Sequence, residues 1–206
     1  MTQGGAMARE GGGTNGRSIG IVCYPTSGGS GIVATELGLA LAHRGWQVHF
    51  ITYALPVRLK GYEENIFFHQ VQTDNYPIFH HPPYELSLSV KITEVAETHG
   101  LDLLHVHYAI PHATCAYLAR QMMPGSRMRT VTTLHGTDIT LVGQDPSYHT
   151  ITKYSIEHSD AVTAVSAYLR DETYRAFGCT ACEISVIRTS WTSRSSGRAT
   201  PRPRAA

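Results

Sequence analysis

Residues 23–38, CYPTSGGSGIVATELG, place three glycines and two serines between an apolar run and an amphipathic one. Before them, Ile19 to Tyr24 is short, apolar and β-rich; after them, Ile32, Leu37, Leu39, Ala40 and Leu41 recur at helical spacing. The reading is strand, glycine turn, helix. Gly28, Gly29 and Gly31 allow backbone angles closed to other residues, and the first amides of a helix have no internal partner, so they can face an anion. Such a turn either cradles a phosphate or carboxylate or is a tight connection that binds nothing.

Outward from this unit the same alternation repeats. Apolar, β-rich runs stand at 19–24, 47–53, 66–71, 102–107, 129–134, 160–165 and 184–187, with amphipathic stretches at 31–43, 84–99, 111–122, 147–157 and 167–177. This pattern predicts an α/β fold, a Rossmann-like parallel sheet with helices on both faces. Ligands of such sheets bind beyond the carboxyl ends of the strands. The glycine turn, Tyr53 to Arg58, His107-Tyr108 and Thr133 to Thr140 all fall there.

Composition bounds the rest. The chain has 206 residues, 42% of them hydrophobic, enough for a full core of one domain, or one plus a fragment. No run approaches the ~20 apolar residues of a membrane span, and the first 18 residues lack the apolar segment of a signal peptide, so the cytoplasm is the expected compartment. Four cysteines in such a chain predict free thiols, and the Cys179–Cys182 CxxC lacks the second pair that a zinc site wants. Five of the 17 Lys and Arg follow the last acid, Glu183, so the remaining 12 face all 16 acids and residues 1–187 are net acidic by four. The body carries no evident nucleic-acid patch.

Several strand exits carry polar chemistry. His105 and His107 alternate on a strand and so share a face; they are either two ligands wanting a third or one packed and one site-facing imidazole. In TTLHGTDIT, 132–140, His135 can donate to a phosphate or sugar oxygen, and Thr133 and Thr137 can bind hydroxyls or carboxylates. Asp138 either orients the histidine, accepts from a sugar, or caps the next helix. Arg58 in ALPVRLKGY is a candidate bidentate clamp for a carboxylate or a solvated surface group. Tyr108 and His112 flank Pro111 and could close a polar pocket.

Taken together, IGIVCYPTSGGSGIVATELG, HFITYALPVRL, LLHVHYAIPHATCAYLA, VTTLHGTDIT and SDAVTAVS resemble the N-terminal domain of the bacillithiol-pathway N-acetyl-α-D-glucosaminyl L-malate synthases. These are retaining glycosyltransferases of the two-Rossmann-domain (GT-B) type, and the likeness runs from about residue 18 to 187. The resemblance implies transfer of N-acetylglucosamine from UDP-N-acetylglucosamine to L-malate, with no metal and no further cofactor, no nucleic acid and no membrane as partners, and a homo-oligomer left open for the full-length enzyme. It implies His135 as the catalytic group, Gly29, Ser30 and Gly31 as phosphate-binding, Ser30, Tyr108, Thr133 and Arg58 as acceptor-binding, and His107, Thr137 and Asp138 in support. Rival readings are a related GT-B transferase with a sugar or lipid acceptor, and a stand-alone anion-binding α/β module.

The expected organisation is a disordered stretch over 1–18, an acceptor domain over 19–187, and a basic tail over 188–206, with the family's C-terminal donor domain absent. The tail, RTSWTSRSSGRATPRPRAA, breaks the pattern of the body and is either disordered or frameshifted. If Ile187 is encoded ATC, one restored C lets the next codons read Pro-Asn-Phe-Val-Asp-Leu, in which the unique Trp codon forces the Asp. That peptide resembles the family's crossing into its second domain. The chain alone is therefore expected to have no appreciable transferase activity, since one wall of a cleft cannot preorganise a transition state.

Overall fold

The computed structural model describes residues 16–74, 76–178 and 182–188. Seven strands form one parallel sheet: β1 (Ser18–Val22), β2 (Gln47–Thr52), β3 (Ile66–Gln70), β4 (Leu103–His107), β5 (Arg129–Leu134), β6 (Ala161–Ala164) and β7 (Ile184–Val186). Their order is β3-β2-β1-β4-β5-β6-β7, so the chain reverses direction across the sheet between β1 and β4. That crossover is where ligands of doubly wound sheets sit.

The helices are α1 (Gly29–Ala42), α2 (Tyr84–His99), α3 (Thr114–Met122), the short α4 (Thr137–Thr140), α5 (Pro146–Glu157) and α6 (Ala167–Phe177). Every expected strand and helix is present. The residues of β1 are buried throughout because alternate side chains serve two layers. Ile19, Ile21 and Cys23 pack with Ala34 and Phe50 in the α1 layer, while Val22 joins Leu88, Ile92, Leu104 and Ala116 in the α2 and α3 layer. A third cluster, built on Leu134, Ile139, Ile156, Val162 and Phe177, seats α4, α5 and α6 against the far half of the sheet. Burying a Leu, Ile or Phe side chain contributes about 1.5–3 kcal/mol, which is how these layers offset chain entropy.

Two expectations need revision. The first helix begins at Gly29, not after the glycines, so Gly29, Ser30 and Gly31 form its first turn. Cys182 is disulfide-bonded rather than a free thiol, whereas Cys23 and Cys115 are free and buried. Cys179, residues 1–15 and the tail from 189 onward lie outside the described residues. Among the described residues no helix is long and apolar enough to cross a membrane.

Candidate functional site

Three loops leave the carboxyl ends of β1, β4 and β5 side by side. The β1 loop delivers the N-terminus of α1, whose intrahelical ladder starts with Ile32 N–H donating to the Gly28 carbonyl at 3.1 Å. The amides of Gly29, Ser30 and Gly31 have no such partner, no side chain caps them, and no acid occupies the first turn. The positive end of the helix dipole is thus left for an anion. Ser30 is buried and Gly29 is exposed at this end. At Gly31 the helix passes so close to the loop that a Cβ would stand 2.6 Å from the Tyr24 carbonyl oxygen, so glycine is required there by space.

The β4 and β5 loops carry the imidazoles. His107 is fully buried, and its Nδ1 lies 2.8 Å from His135 Nε2, so one ring donates to the other. His105 stacks on His107 at 4.6 Å between centroids and bonds the Thr133 hydroxyl at 2.7 Å. Thr133 in turn meets the Thr163 hydroxyl at 2.7 Å. The two strand histidines therefore do share a face, as their spacing predicts, but Thr133, expected to contact an acceptor, has its hydroxyl engaged in a ladder across β4, β5 and β6.

Asp138 explains the loop geometry. It is 1% exposed, and its two carboxylate oxygens accept from Gly136 N at 2.9 Å, His135 N at 3.2 Å and Ala109 N at 3.0 Å. These partners are all backbone amides, that of His135 among them. Asp138 thus ties the β5 exit to the β4 exit through their backbones. Burial raises its pKa, against which the amides of Ala109, Gly136 and His135 pull it down. Gly136, at φ 130° and ψ −67°, adopts a conformation that L side chains avoid.

Tyr108 also has positive φ, 92°, a strained conformation of about 1–3 kcal/mol for a bulky residue. Held this way its ring lies 5.3 Å from His135 and 5.5 Å, edge-on, from Tyr24. Tyr24 lies 4.5 Å from His112, whose Nδ1 donates to the His107 carbonyl. Since His112 is then deprotonated at Nε2, that nitrogen is a buried lone pair, and it has no partner; neither has His107 Nε2. Tyr24 is the member that sequence reasoning missed, although its place directly after β1 marks a strand exit.

Burial drives the imidazoles neutral. His105, His112 and His135 fall from 6.5 to about 4, and His107 falls well below 6.5, with neighbouring histidines adding to the effect at His107 and His135. At neutral pH this wall offers hydrogen bonds without charge, and the positive potential comes from α1. Arg58, the expected carboxylate clamp, lies 3.6 Å from Glu36 of α1. Thr137 is exposed at the start of α4. A depression of about 270 Å³ lined by Glu157, Asp160 and Glu183 lies at the opposite, amino end of β6 and β7, and its Asp160 is committed to Arg120, Arg129 and the Thr130 amide.

Residues 27–190 match the model of Glycosyltransferase Family 4. The chain is 58% identical over 156 residues to N-acetyl-alpha-D-glucosaminyl L-malate synthase of Bacillus anthracis, a match covering 76% of this chain and 41% of that relative. Among solved structures, a sucrose-phosphate synthase of Thermosynechococcus elongatus superposes with a TM-score of 0.59 at 18% identity, covering 84% of this chain and 90% of that one. A glycosyltransferase of Rickettsia africae does so with a TM-score of 0.58, also at 18% identity, covering 82% and 42%. These two establish the fold, that of the GT-B glycosyltransferases.

Proposed function

Because the chain belongs to Glycosyltransferase Family 4, we propose that it supplies the acceptor-side half of an enzyme moving N-acetylglucosamine from UDP-N-acetylglucosamine to the hydroxyl of L-malate, with retention. The observation that carries this reading is the 58% identity to the Bacillus anthracis synthase over 156 residues. The chain spans 41% of that relative's length, so the transfer is proposed for the assembled two-domain enzyme in the cytoplasm.

The proposed division of labour follows the charges. The departing diphosphate needs positive potential, which the amides of Gly29, Ser30 and Gly31 would supply from this side of the cleft. Malate is a dicarboxylate and would be held by donors, Ser30 in the first turn of α1, Tyr108 at the β4 exit and Arg58, which lies 3.6 Å from Glu36. His135, neutral and tethered to His107, would donate one hydrogen bond to the transferring sugar or its phosphate rather than act as a cation. With retention by attack on the face the phosphate leaves, that phosphate takes the malate hydroxyl proton, and no enzyme carboxylate is required as nucleophile. Asp138 is a positioning residue, and no metal or additional cofactor enters the scheme.

The test is a fusion of residues 16–188 to the remaining part of the Bacillus anthracis synthase, assayed by mass spectrometry for GlcNAc-malate. Product that disappears with succinate in place of malate is the expected result. A folded fusion that makes no such product, or that prefers a sugar or lipid acceptor, overturns the reading. The 206-residue chain alone is expected to form none.

A further inference from the structure

Three histidines that the proposed transfer does not use meet on the sheet face beneath α2. His49 lies within β2, His69 on the neighbouring edge strand β3, and His99 is the last residue of α2. The β2–β3 register pairs His49 with Phe67 and Ile51 with His69, so the two strand histidines, one pleat apart, project from the same face. One ligating nitrogen from each of the three rings lies within 4.8 Å of the others. His49 Nδ1 and His69 Nε2 are 2.9 Å apart, and the His99 ring lies 4.4 Å from that of His49.

Hydrogen bonding between the rings does not account for this grouping. The single His49–His69 bond leaves His49, 1% exposed, with its Nε2 buried and unpartnered. Burial and the neighbouring imidazoles hold His49 at about 4 and lower His69, so both are neutral, with a lone pair on each, at the pH where metals bind. His99 ends a 16-residue helix, whose negative pole favours a cation at that point. The nearest charges facing His69 are Lys91 and Glu94, paired with each other at 2.6 Å.

We propose that His49, His69 and His99 form a site for one divalent transition-metal ion of the zinc class, with water in the fourth position, clipping the edge strand β3 to β2 and the end of α2. Three neutral imidazoles suit zinc, copper or nickel rather than magnesium or calcium. Zn–N bonds of about 2.0–2.1 Å in a tetrahedron put nitrogens about 3.3 Å apart. The His49–His69 pair therefore opens by a few tenths of an ångström, and the exposed His99 swings in. The site lies at the β2–β3 edge of the sheet, away from the candidate transferase cleft at the exits of β1, β4 and β5, and it stands whether or not malate is the acceptor.

The experiment uses the untagged 206-residue chain stripped with a chelator and titrated with zinc chloride in competition with a chromophoric chelator, alongside thermal melts. One zinc per chain and a melting temperature that rises with zinc are expected. His69→Gln and His99→Gln should each weaken binding by at least about tenfold. The His80→Gln, His81→Gln pair and Cys182→Ser, controls for surface histidine and CxxC binding, should leave it unchanged. His99 is exposed, so His99→Gln reports even if His69→Gln does not fold. No stoichiometric zinc, a folded His99→Gln chain that binds as tightly as wild type, or an equal loss in the controls overturns the proposal.

Discussion

Acidification should unfold this domain well above the pH at which carboxylates titrate. His49, His105, His112 and His135 each fall from 6.5 to about 4 on folding. Between those values the unfolded chain binds protons that the folded chain refuses, so stability is intact above 6.5 and is lost as pH falls toward 4. Each such group removes ~0.8 kcal/mol by pH 6 and ~2 kcal/mol by pH 5. Summed as independent groups, four remove ~3 and ~8 kcal/mol, against a total stability of about 5–15 kcal/mol for an ordinary domain. His107, lowered further, adds in the same direction. At half these values the loss by pH 5 is ~4 kcal/mol, which brings a domain at the low end of that range close to its unfolding midpoint, with an uptake of ~2–4 protons. Urea titrations at half-unit steps from pH 8 to 4.5, in chelator, read both the free energy and its slope, which is about 1.36 kcal/mol per pH unit for each proton. His105→Gln should reduce that slope by up to one proton. A free energy that changes by less than ~1 kcal/mol between pH 7 and 5 would refute the burial argument.

Asp138→Ala strands three buried amides and should cost about 3–6 kcal/mol, whereas Asp138→Asn keeps one acceptor oxygen and should cost about 1–3 kcal/mol; urea denaturation separates them, and equal losses would contradict the staple. Gly31→Ala and Gly136→Ala should each cost about 1–3 kcal/mol for different reasons, the first by collision with the Tyr24 and Thr26 carbonyls, the second by backbone conformation alone, since nothing lies within 4 Å of its added Cβ. Melting temperatures test both, and a neutral Gly136→Ala would remove the conformational argument. Removing the Asp160 carboxylate, which burial raises but the Thr130 amide, Arg129 and Arg120 lower overall, should destabilise the β5–β6 entry by about 1–3 kcal/mol, read by hydrogen exchange at Thr130.

The inner strands were legible because they are apolar runs buried on both faces, the edge strand β3 because Ile66, Phe67 and Phe68 are β-rich although none is buried, and the glycines at 28–31 mark where the first strand ends. What stayed hidden depends on distances between elements. The His107–His135 bond joins residues 28 apart in the chain and exists only because β4 and β5 pair with His107 opposite Thr133. Asp138 reads locally as a cap, but its second oxygen reaches Ala109, 29 residues earlier, which no local pattern reveals. Thr133 is a plausible donor by type until Thr163 arrives from the neighbouring strand. The triad of His49, His69 and His99 has spacings of 20 and 30 residues and belongs to no short motif; only the β2–β3 register and the length of α2 bring it together.

The position of β1 bears on how the chain must be made. Of the described strands the one synthesised first, β1, is an inner strand, flanked by β2 on one side and β4 on the other, and its opening amide at Ser18 is held by Asp102, 84 residues later. For the time taken to synthesise α1 through α2, a strand that the finished fold buries throughout has one edge unsatisfied. At about 5–20 residues per second that interval lasts several seconds, in which the nascent edge is open to any other extended chain. Parallel pairing offers no hairpin to close it sooner, because each parallel neighbour needs a crossover. Solubility during synthesis should therefore depend on how quickly Leu103–His107 arrives, and slowing translation before that point, by rare codons over α2, should increase aggregation without altering the finished fold.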